Sequence, residues 1–451
     1  MYLRRKIDEY LKNWKNDENH LPLIVKGARQ IGKTESINEF SKIYNNVVYI
    51  NFALEPIYKN IVNDGYDVEK VIKNISVIDS KWKMVPNETL IIFDEIQEFP
   101  DITTTLKSFA IDKKYDVICS GSLLGINYKK IHSISLGYKS EYEMYSMDFE
   151  EFLWAVGIDD NNINEMFNHL TSMIPFSEIE MNRYMDLFID YVIIGGMPNV
   201  VKNYVANKNF QGISELQKDI INGYKDDARK YIEGLDQTRI INTFNSIPVQ
   251  LAKDNKKFQY SKISSNARSR EYIGVIEWLN DVGIINICYQ MNFPELPIKG
   301  NVDTSKFNVY MAATGLLVTL LDEESQIDLK VNKNLGVYKG AIYENVVAEA
   351  LKKSGADLVY YKREDSTLEI DFFVRTQDEL LPIEVKSGNN KSKSLNEVII
   401  NPKYENIKRG IKLAYANIGY DNNIFTMPCF CSFLIKKWAR RWKYNNYDDF
   451  N

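Results

Sequence analysis

Residues 21–34 read LPLIVKGARQIGKT. A short apolar run from Leu21 to Val25 feeds Gly27, and four residues, Ala28, Arg29, Gln30 and Ile31, separate it from Gly32, Lys33 and Thr34. Glycines at these positions let successive backbone N–H groups face one point, and a helix starting at the lysine adds the positive end of its dipole, so the loop is a cradle for phosphate. The spacing is that of a P-loop. Both flanks agree with it: LPLIV has the composition of a buried strand, and ESINEFSKIY repeats apolar residues at helical spacing (Ile37, Phe40, Ile43, Tyr44). On this reading Gly27 to Thr34 hold a nucleotide, Lys33 reaches its β- and γ-phosphates, and Thr34 holds Mg²⁺ through its hydroxyl. The alternative, an ordinary glycine turn, leaves the Lys-Thr ending and the flanking strand and helix as coincidences.

The downstream sequence supplies the other half of such a site. After a β-rich run from Val47 to Phe52 and a mixed helical stretch from Tyr58 to Lys83 comes ETLIIFDEIQEFP. Leu90 to Phe93 is a fully apolar strand that delivers Asp94 and Glu95 at its carboxyl end, where an open α/β sheet keeps its ligands. Asp94 is expected to hold Mg²⁺, through water or Thr34, and Glu95 to polarise the attacking water as general base. A further strand, DVICSGS, ends in Ser120, Gly121 and Ser122. Ser120 is preferred over Ser122 as a sensor of the γ-phosphate, although either serine suits a helix cap.

Composition bounds the rest. The chain has 451 residues, 45% apolar and 26% charged, which suits about three soluble domains, and its formal charge of −5 gives no global attraction to nucleic acid. The densest basic stretch, IKKWARRWK at 435–443, reads first as the solvated face of a terminal helix. Four scattered cysteines and three histidines exclude a disulfide framework and a Cys/His zinc site. The opening MYLRRKIDEYLKNWKND is an amphipathic helix rather than a signal peptide, and nothing approaches the ~18 apolar residues of a spanning helix. A cytoplasmic protein without membrane contact is therefore expected.

Residues 1–157 are expected to form the ATPase domain, closed by MDFEEFLWAVG, followed by a helical region over 158–243. Within that region Gly195, Gly196, Met197 and Pro198 read as a structural elbow. Residues 244–333 have the succession of short helices and a strand-like end of a winged helix, in which Lys262, Arg268 and Arg270 are placed to touch phosphates. Winged helices also serve as protein–protein spacers.

Residues 334–451 carry the remaining constellation. The amphipathic helix YKGAIYENVVAEALKKSG has Glu344 near its start, and three strands follow, LVYYKR, LEIDFFVR and LLPIEVKSG. Asp371 lies in the second, Glu384 and Lys386 in the third. Strand side chains alternate, so Glu384 and Lys386 share a face. Two carboxylates on adjacent strands suit one Mg²⁺, with the lysine orienting a metal-activated water for attack on a phosphodiester. The competing reading is a scaffold in which the same three residues form a buried salt bridge.

The segments LPLIVKGARQIGKT, LIIFDEIQ, VICSGS and LGYKSEYEMYSMDFEEFLWA resemble the bacterial and archaeal AAA-type ATPases that carry a C-terminal domain of unknown function, over nearly the whole chain. In many relatives an arginine follows the glycine corresponding to Gly137; here Tyr138 and Lys139 stand there. Relatives tend to place an aspartate before a Thr-Gly pair, where this chain has Ala313 before Thr314 and Gly315, so no role is carried onto it. Glu344, Asp371, Glu384 and Lys386 resemble a PD-(D/E)XK nuclease core. The resemblances imply an α/β protein: a P-loop NTPase parallel sheet, a helical and winged-helix region, and a C-terminal restriction-endonuclease-like domain. They imply ATP and Mg²⁺ as cofactors, ATP hydrolysis coupled to a domain acting on DNA or RNA, and a protein partner or homo-oligomer as further associations. The alternative is a slow nucleotide-dependent switch whose inactive C-terminal scaffold binds a protein.

Overall fold

The computed structural model describes residues 1–122, 137–231, 237–252, 256–265, 267–321, 323–331, 333, 335, 337–364, 366–377, 379–388 and 392–441. They divide into two compact units.

The first unit comprises Met1–Ser146 with the short segments Asp226–Glu233 and Asp281–Gly283. Its centre is an all-parallel sheet of β1 (Leu23–Gly27), β2 (Asn46–Asn51), β3 (Thr89–Asp94), β4 (Asp116–Ser122) and β5 (Ser140–Glu143), in the order β2-β3-β4-β1-β5. Strands in such a sheet are covered on both faces, which is why Leu23–Val25 of β1 and Leu90–Phe93 of β3 are apolar runs without alternation. Helices α1 (Lys6–Asn16), α2 (Lys33–Ser41), α3 (Val68–Ile78) and α4 (Leu106–Asp112) complete the unit. Ile50, Ile91, Phe93 and Val117 of the sheet pack with Val71, Ile75, Leu106 and Phe109. α1 is anchored by Trp14, whose indole N–H donates to Leu21 O at 2.8 Å and whose ring meets Phe40 edge-on.

Two local expectations shift. α2 stops at Ser41, leaving Ile43 exposed. The 58–83 stretch is not one helix but a 3-10 segment, Pro56–Val62, followed by α3, because Gly65 takes a φ of +121° that ends the first and reorients the chain.

The second unit comprises Met147–Lys225, Gly234–Asn280 and Ile284–Asn451. Its helices are α5 (Phe149–Ala155), α6 (Asp160–Ser172), α7 (Glu178–Ile194), α8 (Pro198–Asn207), α9 (Ile213–Tyr231, of which the part to Lys225 belongs here), α10 (Gln237–Leu251), α11 (Ser269–Asp281, to Asn280), α12 (Thr314–Thr319), α13 (Glu323–Lys330), α14 (Val337–Lys353), α15 (Lys393–Ile400) and α16 (Ile435–Arg441). α7 starts at a capping box between Ser177 and Glu180, and every residue from Leu187 to Ile194 is buried, so this is an internal helix. It ends where backbones touch: a Cβ at Gly196 would lie 1.9 Å from Met147 O, and one at Gly315 would lie 2.6 Å from Gly195 N. The Gly-Gly-Met-Pro turn thus has a packing reason, since no side chain fits between these segments.

Two sheets complete the unit. One contains β6 (Ile285–Met291), β7 (Val302–Met311), β8 (Val359–Lys362) and β9 (Glu369–Ile370), in the order β7-β6-β8-β9. The other contains β10 (Phe372–Arg375), β11 (Leu380–Val385), β12 (Gly410–Ala414), β13 (Gly419–Asp421) and β14 (Ile424–Pro428), in the order β10-β11-β12-β14-β13. β10 runs antiparallel to β11, which runs parallel to β12. The segment LEIDFFVR, expected as one strand, is two: the chain passes from one sheet to the other at Asp371. All four cysteines are buried and free. Among the described residues no helix is long and apolar enough to cross a membrane.

Candidate nucleotide site and C-terminal carboxylate cluster

The loop between β1 and α2 has the shape its glycines forecast. Gly27 and Gly32 have φ of +156° and +91°, and a Cβ on Gly27 would stand 2.2 Å from Met144 O. Gln30 is also left-handed, φ +62°, a conformation non-glycine residues adopt rarely. The Arg5 guanidinium fastens the loop by donating to Ile31 O and Tyr145 O, both at 2.7 Å. Arg29 pairs with Asp227 at 2.8 Å. Lys33 is buried and turned onto its own loop, donating to Gly27 O at 3.0 Å and Ala28 O at 2.7 Å. Burial pushes its pKa down to about 8, against the opposing pull of Glu95 and Asp94.

Asp94 sits where the strand ends converge, because β2 and β3 pair Asn51 with Asp94 while β3 and β4 pair Phe93 with Cys119, bringing Ser120 alongside. Its Oδ2 accepts from Thr34 Oγ1 at 3.1 Å and from the Tyr49 hydroxyl at 2.6 Å. Its Oδ1 accepts from Ser120 Oγ at 2.5 Å and from Glu95 N at 3.0 Å. These four donors are all neutral. Glu95 turns out of the strand in the left-handed region, φ +55°. The Gln97 amide donates to Glu95 Oε2, and Gln97 Oε1 accepts from Ser122 N at 3.1 Å. Gly121 makes room for that bridge, since a Cβ there would meet Ile96 at 2.8 Å and Gln97 at 3.0 Å.

The P-loop residues, Thr34, Asp94, Glu95 and Ser120 are thus gathered at one edge of the sheet. Sequence reasoning missed Tyr49, Gln97 and Arg5. Tyr49 was discoverable, lying two residues before the end of a strand adjacent to β3; Arg5 has no sequence signal, since it acts from before α1. In the loop where relatives carry an arginine, Tyr138 lies under the Lys107 ammonium and Lys139 pairs with Glu141 at 2.7 Å.

The C-terminal residues meet in two groups. Lys256 Nζ donates to Glu344 Oε1 at 2.5 Å and to Asp371 Oδ1 at 3.3 Å, so one ammonium spans both carboxylates. Asp371 Oδ2 accepts from Val385 N at 2.9 Å. Glu384 Oε1 pairs with Lys386 at 2.5 Å. Among the described residues no hydrogen-bond partner reaches the buried Glu344 Oε2 or Glu384 Oε2. Burial raises the Glu344 carboxyl above the ordinary glutamate range, with Lys256 drawing it back and Asp371 adding to the rise. Burial works against the Lys256 ammonium too, but Glu344 and Asp371 outweigh it and hold its pKa above the ordinary lysine range. Among the described residues no group of three or more His, Cys, Asp or Glu is arranged to hold a metal ion. Lys256 was not anticipated: it lies 88 positions before Glu344, in a segment read for a different purpose. Lys262, Arg268 and Arg270 are exposed.

Residues 19–153 match the AAA domain family, residues 185–327 a domain of unknown function (DUF8612), and residues 339–430 another domain of unknown function (DUF4143). With the geometry above, the first match makes the N-terminal module a P-loop ATPase of AAA type. No curated protein matches the chain. Among solved structures, the Walker-type ATPase PABY2304 of Pyrococcus abyssi is similar at 15% identity, covering 71% of this chain and 96% of that one, with a TM-score of 0.42. The Aeropyrum pernix ORC2 protein is similar at 12% identity, covering 75% and 94%, with a TM-score of 0.37.

Proposed function

We propose that the chain hydrolyses ATP at the P-loop and couples the nucleotide state to a nuclease-like C-terminal domain whose partner is a nucleic acid. The observation that carries the first half is Asp94, a buried carboxylate held, among the described residues, by neutral hydrogen-bond donors beside a glycine cradle and a lysine. The donor set fits Mg²⁺: a hydroxyl, Thr34, and a carboxylate, Asp94, are the hard oxygens this ion takes. When bound, the ion offsets negative charge on the phosphate oxygens. Lys33 exchanges its bonds to Gly27 O and Ala28 O for the β- and γ-phosphates, where its charge is worth most as the transition state forms. Ser120 and Tyr49 hold Asp94 in place. Glu95, with Oε2 fixed by Gln97, presents Oε1 to a water in line with the γ-phosphate and takes its proton.

For the C-terminal domain, support comes from the order α14, β8, β9/β10, β11, α15, β12 and from the placement of Glu344, Asp371, Glu384 and Lys386 on it, with 334–451 as the proposed extent. The α10–α11 succession supports a winged-helix region over 244–333, while the β6–β7 hairpin that follows it pairs with β8 of the next region in one sheet. A slow switch is the second reading, favoured by Tyr138 and Lys139, which leave that loop without an arginine. ATP turnover of the full chain, with Mg²⁺ and then with EDTA, in the presence and absence of single-stranded oligonucleotide, separates the two. Multiple turnovers that stop with EDTA and change with the oligonucleotide support coupled hydrolysis; tight ATP binding without turnover in every condition supports the switch.

A further inference from the structure

The second unit carries a basic groove that neither carboxylate cluster uses. It consists of two cavities, 400 Å³ and 270 Å³, that share Ile298, Lys299, Ala356 and Asp357. Lys299 and Lys352 line the larger, and Lys299, Arg375 and Lys436 the smaller, so four cations face one carboxylate, Asp357. Among the described residues no carboxylate pairs with Lys299, Lys352 or Arg375. In a chain of net charge −5 with 61 acidic residues, such a collection is a local departure from the composition. Lys436 donates to Gly355 O. Burial and the neighbouring Arg440 charge hold its pKa below the ordinary lysine range, a strain that an anion would relieve.

The basic stretch first read as a solvated helix face therefore divides. Ile435 and Trp438 are buried and Lys437 and Arg441 lie over the Phe167 ring, while Lys436 alone among them turns into the groove. The larger cavity adds half-exposed apolar surface from Ile287, Tyr289 and Val302. Unpaired cations along a track with an aromatic on its floor match a flexible phosphodiester whose bases stack while its phosphates pair. Lys352 lies eight residues beyond Glu344 on α14, about 12 Å along the axis, and Arg375 lies four beyond Asp371, about 13 Å. The groove is thus separate from the carboxylate cluster, with Lys352 on the helix that carries Glu344 and Arg375 at the end of the strand that follows Asp371.

We infer that the groove lined by Lys299, Lys352, Arg375 and Lys436 is where single-stranded nucleic acid lies on this protein. The inference rests on the reading above only for the class of partner, and it stands whether or not either carboxylate cluster acts. The test uses the full chain and a fluorescent 20-nucleotide oligo-dT, with anisotropy read across a salt series. Wild type should bind with a log–log salt slope near −2.8, the product of four contacts and roughly −0.7 each for single strands. Lys299→Gln/Arg375→Gln should weaken binding and flatten the slope by about 1.4. Lys262→Gln/Arg268→Gln should change neither. Tyr289→Ala should weaken binding without changing the slope, and circular dichroism of each variant checks folding. If the second pair of substitutions removes binding and the first does not, the groove assignment falls while nucleic acid remains the partner. If wild type binds no oligonucleotide at low salt, both fall. Groove-dependent binding of phosphatidylserine vesicles without oligonucleotide binding would also overturn the inference.

Discussion

Asp94 in the first unit and Asp371 in the second are both largely buried carboxylates at strand ends, yet the first is met by three hydroxyls and a backbone N–H and the second by an ammonium from its own chain. Neutral donors orient a carboxylate without an ion pair, and the Lys33 charge acts on Asp94 without a direct bond to it, so an incoming cation meets no ammonium seated on its oxygens. An internal lysine supplies that compensation in advance. At Glu344 and Asp371 a metal ion has to compete with Lys256, and at Glu384 with Lys386. A motif that carries the right residue types is therefore not yet a metal site; the company each carboxylate keeps decides it.

The largest expected effect comes from removing the internal counter-ion. Lys256→Ala strands two buried carboxylates and should destabilise the second unit by about 3–5 kcal/mol, lowering its thermal transition by several degrees. If the freed carboxylates then accept a metal, 1 mM Mn²⁺ should restore the transition in this variant and leave wild type unchanged. Absence of any destabilisation would break the comparison from its second side.

Lys33→Ala tests the other side. It removes charge-assisted bonds to phosphate, worth about 1.5–3 kcal/mol, which is roughly ten- to a hundredfold in ATP affinity. Calorimetry should show that loss with the fold intact. Gln97→Ala is smaller: releasing Glu95 Oε2 should lower kcat about tenfold with ATP affinity unchanged. Equal effects on both would make Gln97 a structural residue only.

The pH dependence of ATP binding is the mildest of these effects. Free protein holds a charged Lys33 below about pH 8, so binding there needs no proton. As pH rises through 8 the free lysine loses its proton and must regain it to meet the phosphates, so affinity should fall by at most about tenfold per unit. Calorimetry in buffers of different ionisation heat should find proton uptake near zero at pH 7 and approaching one at pH 9. Zero uptake at both would remove the buried-lysine argument.

The candidate nucleotide site was legible because its chemistry is local. GARQIGKT brings its own turn, and LIIFDE its own strand, so the two need only neighbouring places in one sheet. Tyr49 and Gln97 act through the same strand order but carry no motif. The C-terminal cluster was legible as a set of residues and not as an arrangement. Alternation placed Glu384 and Lys386 on one face, as their ion pair bears out, but no local pattern indicates that the chain changes sheets at Asp371 or that Lys256 comes in from 115 residues away. The Gly195–Gly315 approach was illegible for the same reason, since a missing Cβ becomes meaningful only once its neighbour is known.

The central claim is that Glu95 handles the water while the P-loop handles the phosphates, and single-turnover hydrolysis by Glu95→Gln tests it most directly. The variant should bind ATP and Mg²⁺ like wild type while hydrolysing bound ATP about 10²-fold or more slowly, the scale of a lost general base. Wild-type hydrolysis by Glu95→Gln, at equal ATP occupancy, would contradict the assignment.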